Sequence, residues 1–207
     1  MVTTRAAVYS LNGGVATSQP LASSIGAAVL RSGGSAIDAG IAISAALSVI
    51  EPGASQLGGD AFLITHDAKR KENYAFNGSG EAPHGATIDH FPNGIPLRGF
   101  KSATVPGLVS TWFAAHEKYG RLSFQELLAP AIELAERGFP ANDGFIGRIK
   151  YHLTEAPDSK LFEQLGISVD LALGDLVRQP ELAKSLQAIA REGRAYFYSG
   201  SIAKALI

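Results

Sequence analysis

The chain has 207 residues, which suits one domain or a domain and a half. Hydrophobic residues make up 46% and charged residues 18%, so the sequence can bury a large core and does not read as disordered. A net charge of −1 gives no footprint for nucleic acid or an anionic membrane, and the lack of cysteine excludes disulfides and thiolate metal sites.

The opening MVTTRAAVYSLNGG lacks the apolar stretch of about 7–15 residues behind positive charge that marks a secretory signal. No apolar run reaches about 18 residues, the length a spanning helix needs. The expectation is a soluble, cytoplasmic protein with neither a membrane nor a nucleic-acid partner.

Arg5–Tyr9 and Val15–Ser18 are β-compatible, and Asn12-Gly13-Gly14 between them predicts a hairpin turn. Pro20 then opens a helix with Leu21, Ile25, Ala28 and Val29 as its stripe, stopped by Gly33-Gly34. Ser35 and Asp38 resemble a capping box for the next helix. From Ala36 to Ile50 nearly every side chain is apolar or small, which predicts a helix buried on all faces. Gly40 costs about 1 kcal/mol against alanine there, so a close backbone approach is expected at it.

Residues 51–65 read EPGASQLGGDAFLIT. A phosphate loop needs a strand, then glycines, then a helix whose N–H groups face the anion. Here the order is helix, loop, strand; no Gly-Lys-Ser/Thr follows, and Asp60 repels phosphate. The structural reading is that Pro52 ends the helix, and Gly58, Gly59 and Asp60 form a turn into a buried strand at 61–65. Asn73–Asn77 is expected to return as its partner across the charged turn at 67–72. Residues 77–101, rich in Gly and Pro, predict an ordered surface excursion.

Pro106 is expected to open a helix carrying Leu108, Trp112, Ala115 and Tyr119, ended by Gly120. Ser123 and Glu126 form a capping box for a helix to Gly138, which Pro130 should kink or split. One or two short helices are expected in 142–165, and another from Pro180 to Gly193 with Leu182, Leu186 and Ile189 aligned. A last helix begins near Ser199 and stops on Leu206-Ile207 without a cap, as expected of a piece of a longer chain.

Several spaced stretches carry a resemblance. They are VATSQPLASSIGAAVLRSGGSAIDAGIAISAALSVIEPGASQLGGDAFLI, TVPGLVSTWFAAHEKYG, LLAPAIELAERGFPANDG and LAKSLQAIAREGRAYFYSGSIAKAL. Together they resemble the N-terminal, large-subunit part of the γ-glutamyltranspeptidase family, including its acylase-like branch. The resemblance implies an α+β fold, part of a four-layer αββα sandwich, split here into a sheet-and-helix portion at 1–105 and a mainly helical one at 106–207. It implies a self-cleaving precursor whose small subunit supplies an N-terminal threonine nucleophile. The partners it implies are that small subunit and a small-molecule acyl amide, γ-glutamyl or other. It calls for no cofactor and no metal, and for no catalytic residue in this chain. Thr3 and Thr4 lie at the wrong end of the pattern to be the nucleophile.

In γ-glutamyl members an Arg-Glu-x-Ala-Pro stretch holds the glutamyl carboxylate. Aligned on Ala82-Pro83, Ser79 takes the arginine's place, and Glu81 stands where the acylase-like branch often has arginine. Serine offers one neutral hydroxyl against a charged fork, and a glutamate repels the anion. Ser79 and Glu81 are therefore candidate substrate-binding residues for a neutral or cationic acyl group, although Glu81 reads equally as a solvated loop acid. Arg98 is the candidate for a replacement arginine. His84, Asp89 and His90 share a loop and are candidates to approach a metal, but the pattern carries no metal-ligand spacing that fixes their geometry; Trp112 and Phe113 read as core. Tyr196-Phe197-Tyr198 resembles the family's Phe-Tyr-x-Gly signature and is expected to pack structurally.

Overall fold

The computed structural model describes residues 9–206. Arg5–Val8 of the expected first hairpin, and Thr3 and Thr4, lie outside the described residues. Val15–Ser18 forms no strand. Side-chain bonds turn the chain instead: the Thr17 hydroxyl donates to the Gln19 carbonyl at 2.6 Å and meets Ser23 Oγ at 2.7 Å. That turn feeds helix α1 (Pro20–Arg31), with proline in its first turn.

Helix α2 (Ala36–Ile50) starts where its capping box places it. The Asp38 N–H donates to Ser35 Oγ at 3.1 Å, and the Asp38 carboxylate accepts from the Ser35 N–H at 2.7 Å. Ile41, Ala42, Ala45, Val49 and Ile50 are fully enclosed. Burying each larger aliphatic side chain contributes about 1.5–3 kcal/mol. The close approach between α1 and α2 occurs at Gly26, where the Ile43 side chain fills the space of a missing Cβ. Around Gly40 there is open space, so the expected close contact is absent from that position.

The same carboxylate reaches a second segment. Asp38, fully buried, accepts from the Arg121 N–H at 3.0 Å and the Leu122 N–H at 3.4 Å. Those residues join helix α3 (Leu108–Tyr119) to helix α4 (Phe124–Arg137). His116 Nε2 lies 2.7 Å from the Leu122 carbonyl, so that nitrogen carries the proton. The Ser123–Glu126 box opens α4 as expected. Its serine holds the Glu126 carboxyl below the usual range.

Pro130 neither splits nor ends α4, which runs unbroken through it. The lost bond is confined to one carbonyl, and Leu127, Leu128, Ala131 and Ala135 bury both sides of the gap.

Strands β1 (Ala61–Asp67) and β2 (Glu72–Gly78) form an antiparallel hairpin with Ala61 opposite Gly78 and Asp67 opposite Glu72. The hairpin is half-exposed, contrary to the buried strand expected: Phe62 and Ile64 are 73% and 82% exposed. Its inner side chains, Leu63, Tyr74 and Phe76, alternate with them and face α3. Residues 79–104 form the surface excursion, with Ile88, Ile95, Leu97 and Phe100 exposed.

Past α4, Phe139–Pro140 (β3) pairs with Leu176–Val177 (β4), a short ladder the sequence pattern does not mark. Helices α5 (Asp143–Glu155) and α6 (Leu161–Gln164) lie between them. Helix α7 (Pro180–Glu192) packs on α4, followed by α8 (Arg194–Ser199) and α9 (Ser201–Leu206). The buried Gln179 ties this half to α2: its side-chain amide donates to the Val49 carbonyl at 2.7 Å, and its N–H donates to Ala135. That satisfies one of the carbonyls a helix end leaves unpaired. The architecture is mixed helix and sheet, and among the described residues no helix is long and apolar enough to cross a membrane.

Replacing Asp38 with alanine strands the N–H groups of Ser35, Arg121 and Leu122, each costing about 1–3 kcal/mol when buried. Asp38→Ala is expected to lower unfolding stability by at least about 3 kcal/mol, measured as a urea midpoint. A loss under about 1 kcal/mol would mean that the carboxylate is not the tie described.

Candidate functional site

The loop between α2 and β1 braces two neighbouring segments. The Gly59 carbonyl accepts from the Gly107 N–H at 3.0 Å and the Leu108 N–H at 2.9 Å, capping the start of α3. This is why α3 begins at Leu108 and not at Pro106. Asp60 Oδ1 accepts from the Gly80 N–H at 3.0 Å. Gly53, at φ 84°, supplies the left-handed turn of this loop, whereas Gly58 and Gly59 have ordinary φ and Gly58 has open space around it.

The brace holds residues 78–81 alongside 104–107. The Val105 N–H donates to the Glu81 carbonyl at 3.0 Å. A Cβ on Gly80 would overlap the Val105 carbonyl oxygen, and one on Gly107 would overlap that of Gly78. Backbone therefore lies directly on backbone here, and only glycine permits it.

Beside this pair of segments opens a cavity of about 520 Å³. Ser79, Gly80 and Glu81 line it together with Ser110 and Thr111 of α3 and Arg194 and Tyr198 of α8. The volume lies within the range of small-ligand sites, about 300–1,000 Å³. The structure thus brings Ser79 and Glu81 together, with the Ser79 N–H turned to Asn77 Oδ1 at 3.0 Å. It does not bring Arg98 to them. Arg98 donates to Glu155 of α5 at 2.7 Å and does not line the cavity.

Arg194, which the sequence does not single out, and Tyr198, expected there only to pack structurally, complete the wall. The Tyr198 hydroxyl donates to the Pro106 carbonyl at 2.7 Å and accepts from the Ser110 N–H at 3.0 Å. Ser110 sits in the first turn of α3, so the phenol satisfies a helix N–H that lacks a partner within the helix. Burial holds the Tyr198 phenol above its ordinary range, opposed by the Ser110 N–H and the Arg194 charge. Arg194 Nε donates to Ser110 Oγ at 3.2 Å, and its guanidinium carbon lies 5.0 Å from the Tyr198 ring centre. Arg194 and Tyr198 are four apart on one helix, the spacing that places side chains together, and this is the signal that could have found them.

Among the described residues, no group of three or more His, Asp and Glu side chains comes together as a metal site. His90 instead places Nδ1 2.8 Å from the Gly85 carbonyl.

The family model for gamma-glutamyltranspeptidase matches residues 22–207. The "Glutathione hydrolase-like YwrD proenzyme" of Bacillus subtilis is 38% identical over 194 residues, which are 90% of this chain and 37% of that protein. The "Glutathione hydrolase proenzyme" of the same organism is 38% identical, over 94% of this chain and 35% of its own length. The chain thus spans about a third of the length of these relatives. The crystal structure of Helicobacter pylori gamma-glutamyltranspeptidase superposes with a TM-score of 0.89 at 33% identity, covering 97% of this chain and 60% of that one. A cephalosporin acylase from Bacillus halodurans superposes at 0.82 with 31% identity, covering 99% of this chain and 42% of that one.

Tyr198→Phe removes the donor to Pro106 and the acceptor for Ser110, so it is expected to cost about 1–3 kcal/mol in unfolding stability. Because the folded phenol titrates above its ordinary value, its contribution is complete below about pH 10 and is lost as pH rises further. An alkaline unfolding curve that is the same in wild type and Tyr198→Phe would contradict this role.

Proposed function

We propose, from the premise that this chain belongs to the γ-glutamyltranspeptidase family, that it is the large-subunit portion of an amidohydrolase or acyltransferase and forms its scaffold and one wall of its acyl pocket. The nucleophile, an N-terminal threonine, comes from a part of the precursor outside these residues. The coverage of about a third of the relatives' length supports that division. So does the exposed hairpin face of Phe62, Ile64 and Ala75, which the rest of the precursor covers to complete an αββα sandwich.

The single observation that carries the pocket assignment is the cavity wall formed by Ser79 and Glu81, at the positions the family resemblance selects. With serine and glutamate there, the 79–81 stretch offers an anionic acyl group no cation; the cation of this cavity, Arg194, comes from α8 instead. The protein is accordingly a poor γ-glutamyl transferase and favours neutral or cationic acyl groups. A second reading, a non-catalytic member that only binds a ligand, is separated from the first by the same assay.

Full-length precursor is assayed on γ-glutamyl, glutaryl and neutral acyl anilides. Hydrolysis of the neutral anilide is expected to be fastest. Ser79→Arg is expected to raise γ-glutamyl turnover about 10–100-fold, the range set by about 1.5–3 kcal/mol for a charged hydrogen bond. The 207-residue chain alone is expected to be inert. Wild-type preference for the γ-glutamyl anilide would refute the specificity, and inertness of the full precursor on every anilide would favour the binding-only reading.

A further inference from the structure

The cavity carries opposite charges from two separate parts of the chain. Glu81 comes from the segment after β2, and Arg194 comes from the start of α8. Among the described residues neither forms an ion pair, with the other or with a third group. A cavity of this kind sorts the two ends of a ligand by charge.

Arg194 is held ready for an anion. Ser110 takes its Nε–H, and the Tyr198 ring flanks the guanidinium. Among the described residues its two terminal nitrogens donate no hydrogen bond. Two parallel N–H groups at the tip of the planar guanidinium match the two oxygens of a carboxylate. Glu81 repels the same anion from the Ser79 side, so the carboxylate settles at α8.

We propose that Arg194 binds a carboxylate on the amine half of the substrate amide, while the acyl half lies toward Ser79 and Glu81. The inference rests on the acyl-amide reading above for the orientation of the substrate, but not for the binding of the carboxylate.

The test uses full-length protein and two probes, alanylalanine and its C-terminal amide, with binding followed by calorimetry. Wild type is expected to bind the free acid at least tenfold more tightly than the amide. Arg194→Ala is expected to remove that preference, and Arg194→Lys to restore part of it. Glu81→Gln is expected to strengthen binding of the acid, a change of opposite sign that a merely structural role for either residue does not give. Circular dichroism confirms that each variant is folded. Equal binding of acid and amide by wild type, or an unchanged preference in folded Arg194→Ala, overturns the proposal.

In parallel, an N-acyl-4-aminobenzoate is compared with its methyl ester as substrate. If neither is hydrolysed while the Arg194-dependent preference persists in calorimetry, the amidase reading fails and the carboxylate site stands. If both are hydrolysed equally and no preference is bound, the carboxylate site fails and the amidase reading stands.

Discussion

A single buried carboxylate fixes how the helices of this chain meet. Asp38 accepts from the first turn of its own helix and from the Arg121 and Leu122 amides between α3 and α4. Taking a carboxylate out of water is costly unless hydrogen bonds replace the lost hydration, and these amides do so. The start of α2 is thereby tied to the α3–α4 turn. The remaining contacts, Trp112 Nε1 to Ser44 at 3.0 Å and Gln179 to Val49, extend that tie along α2. The cavity depends on it through α3, whose first turn carries Ser110 and Thr111.

The local half of this arrangement is legible in the sequence. A serine followed at i+3 by an acid before an apolar run specifies a cap, and both capping boxes form where the residues place them. The distant half is not legible, because nothing in a one-dimensional pattern says which far amide a buried acid serves. The glycines show the same divide. Gly40 breaks a helix pattern and attracts attention, yet Ile43 packs against Gly26. Pro130 and Pro106 show tertiary contacts overriding local preference. Burial carries α4 through one, and the Gly59 carbonyl sets the start of α3 beyond the other. The hairpin register followed from alternation, but its exposure did not, since exposure depends on what else covers a face.

The glycine-rich loop after α2 works as a brace rather than a cradle. Its acid holds the Gly80 amide and its carbonyl caps α3, so the cavity-lining segment at 78–81 is set by bonds to its backbone and not by its own side chains. Substitutions at Ser79 and Glu81 can therefore change what the cavity binds while its frame stays in place. Sequence reasoning reached those two residues through a family pattern. It passed over Arg194 and read Tyr198 as packing alone, because their place at the cavity follows only when α8 docks on α3 through the Pro106 carbonyl and the Ser110 amide.

The central claim is that these residues are the scaffold and one wall of an enzyme completed by the rest of its precursor. It is tested most directly by hydrogen exchange at Glu72–Gly78, the β2 strand, in the 207-residue chain and in the full-length precursor. The account predicts that β2 amides exchange at least about tenfold more slowly in the precursor, because a covered strand opens less often. Equal exchange in both would show that the hairpin face stays bare and would contradict the claim.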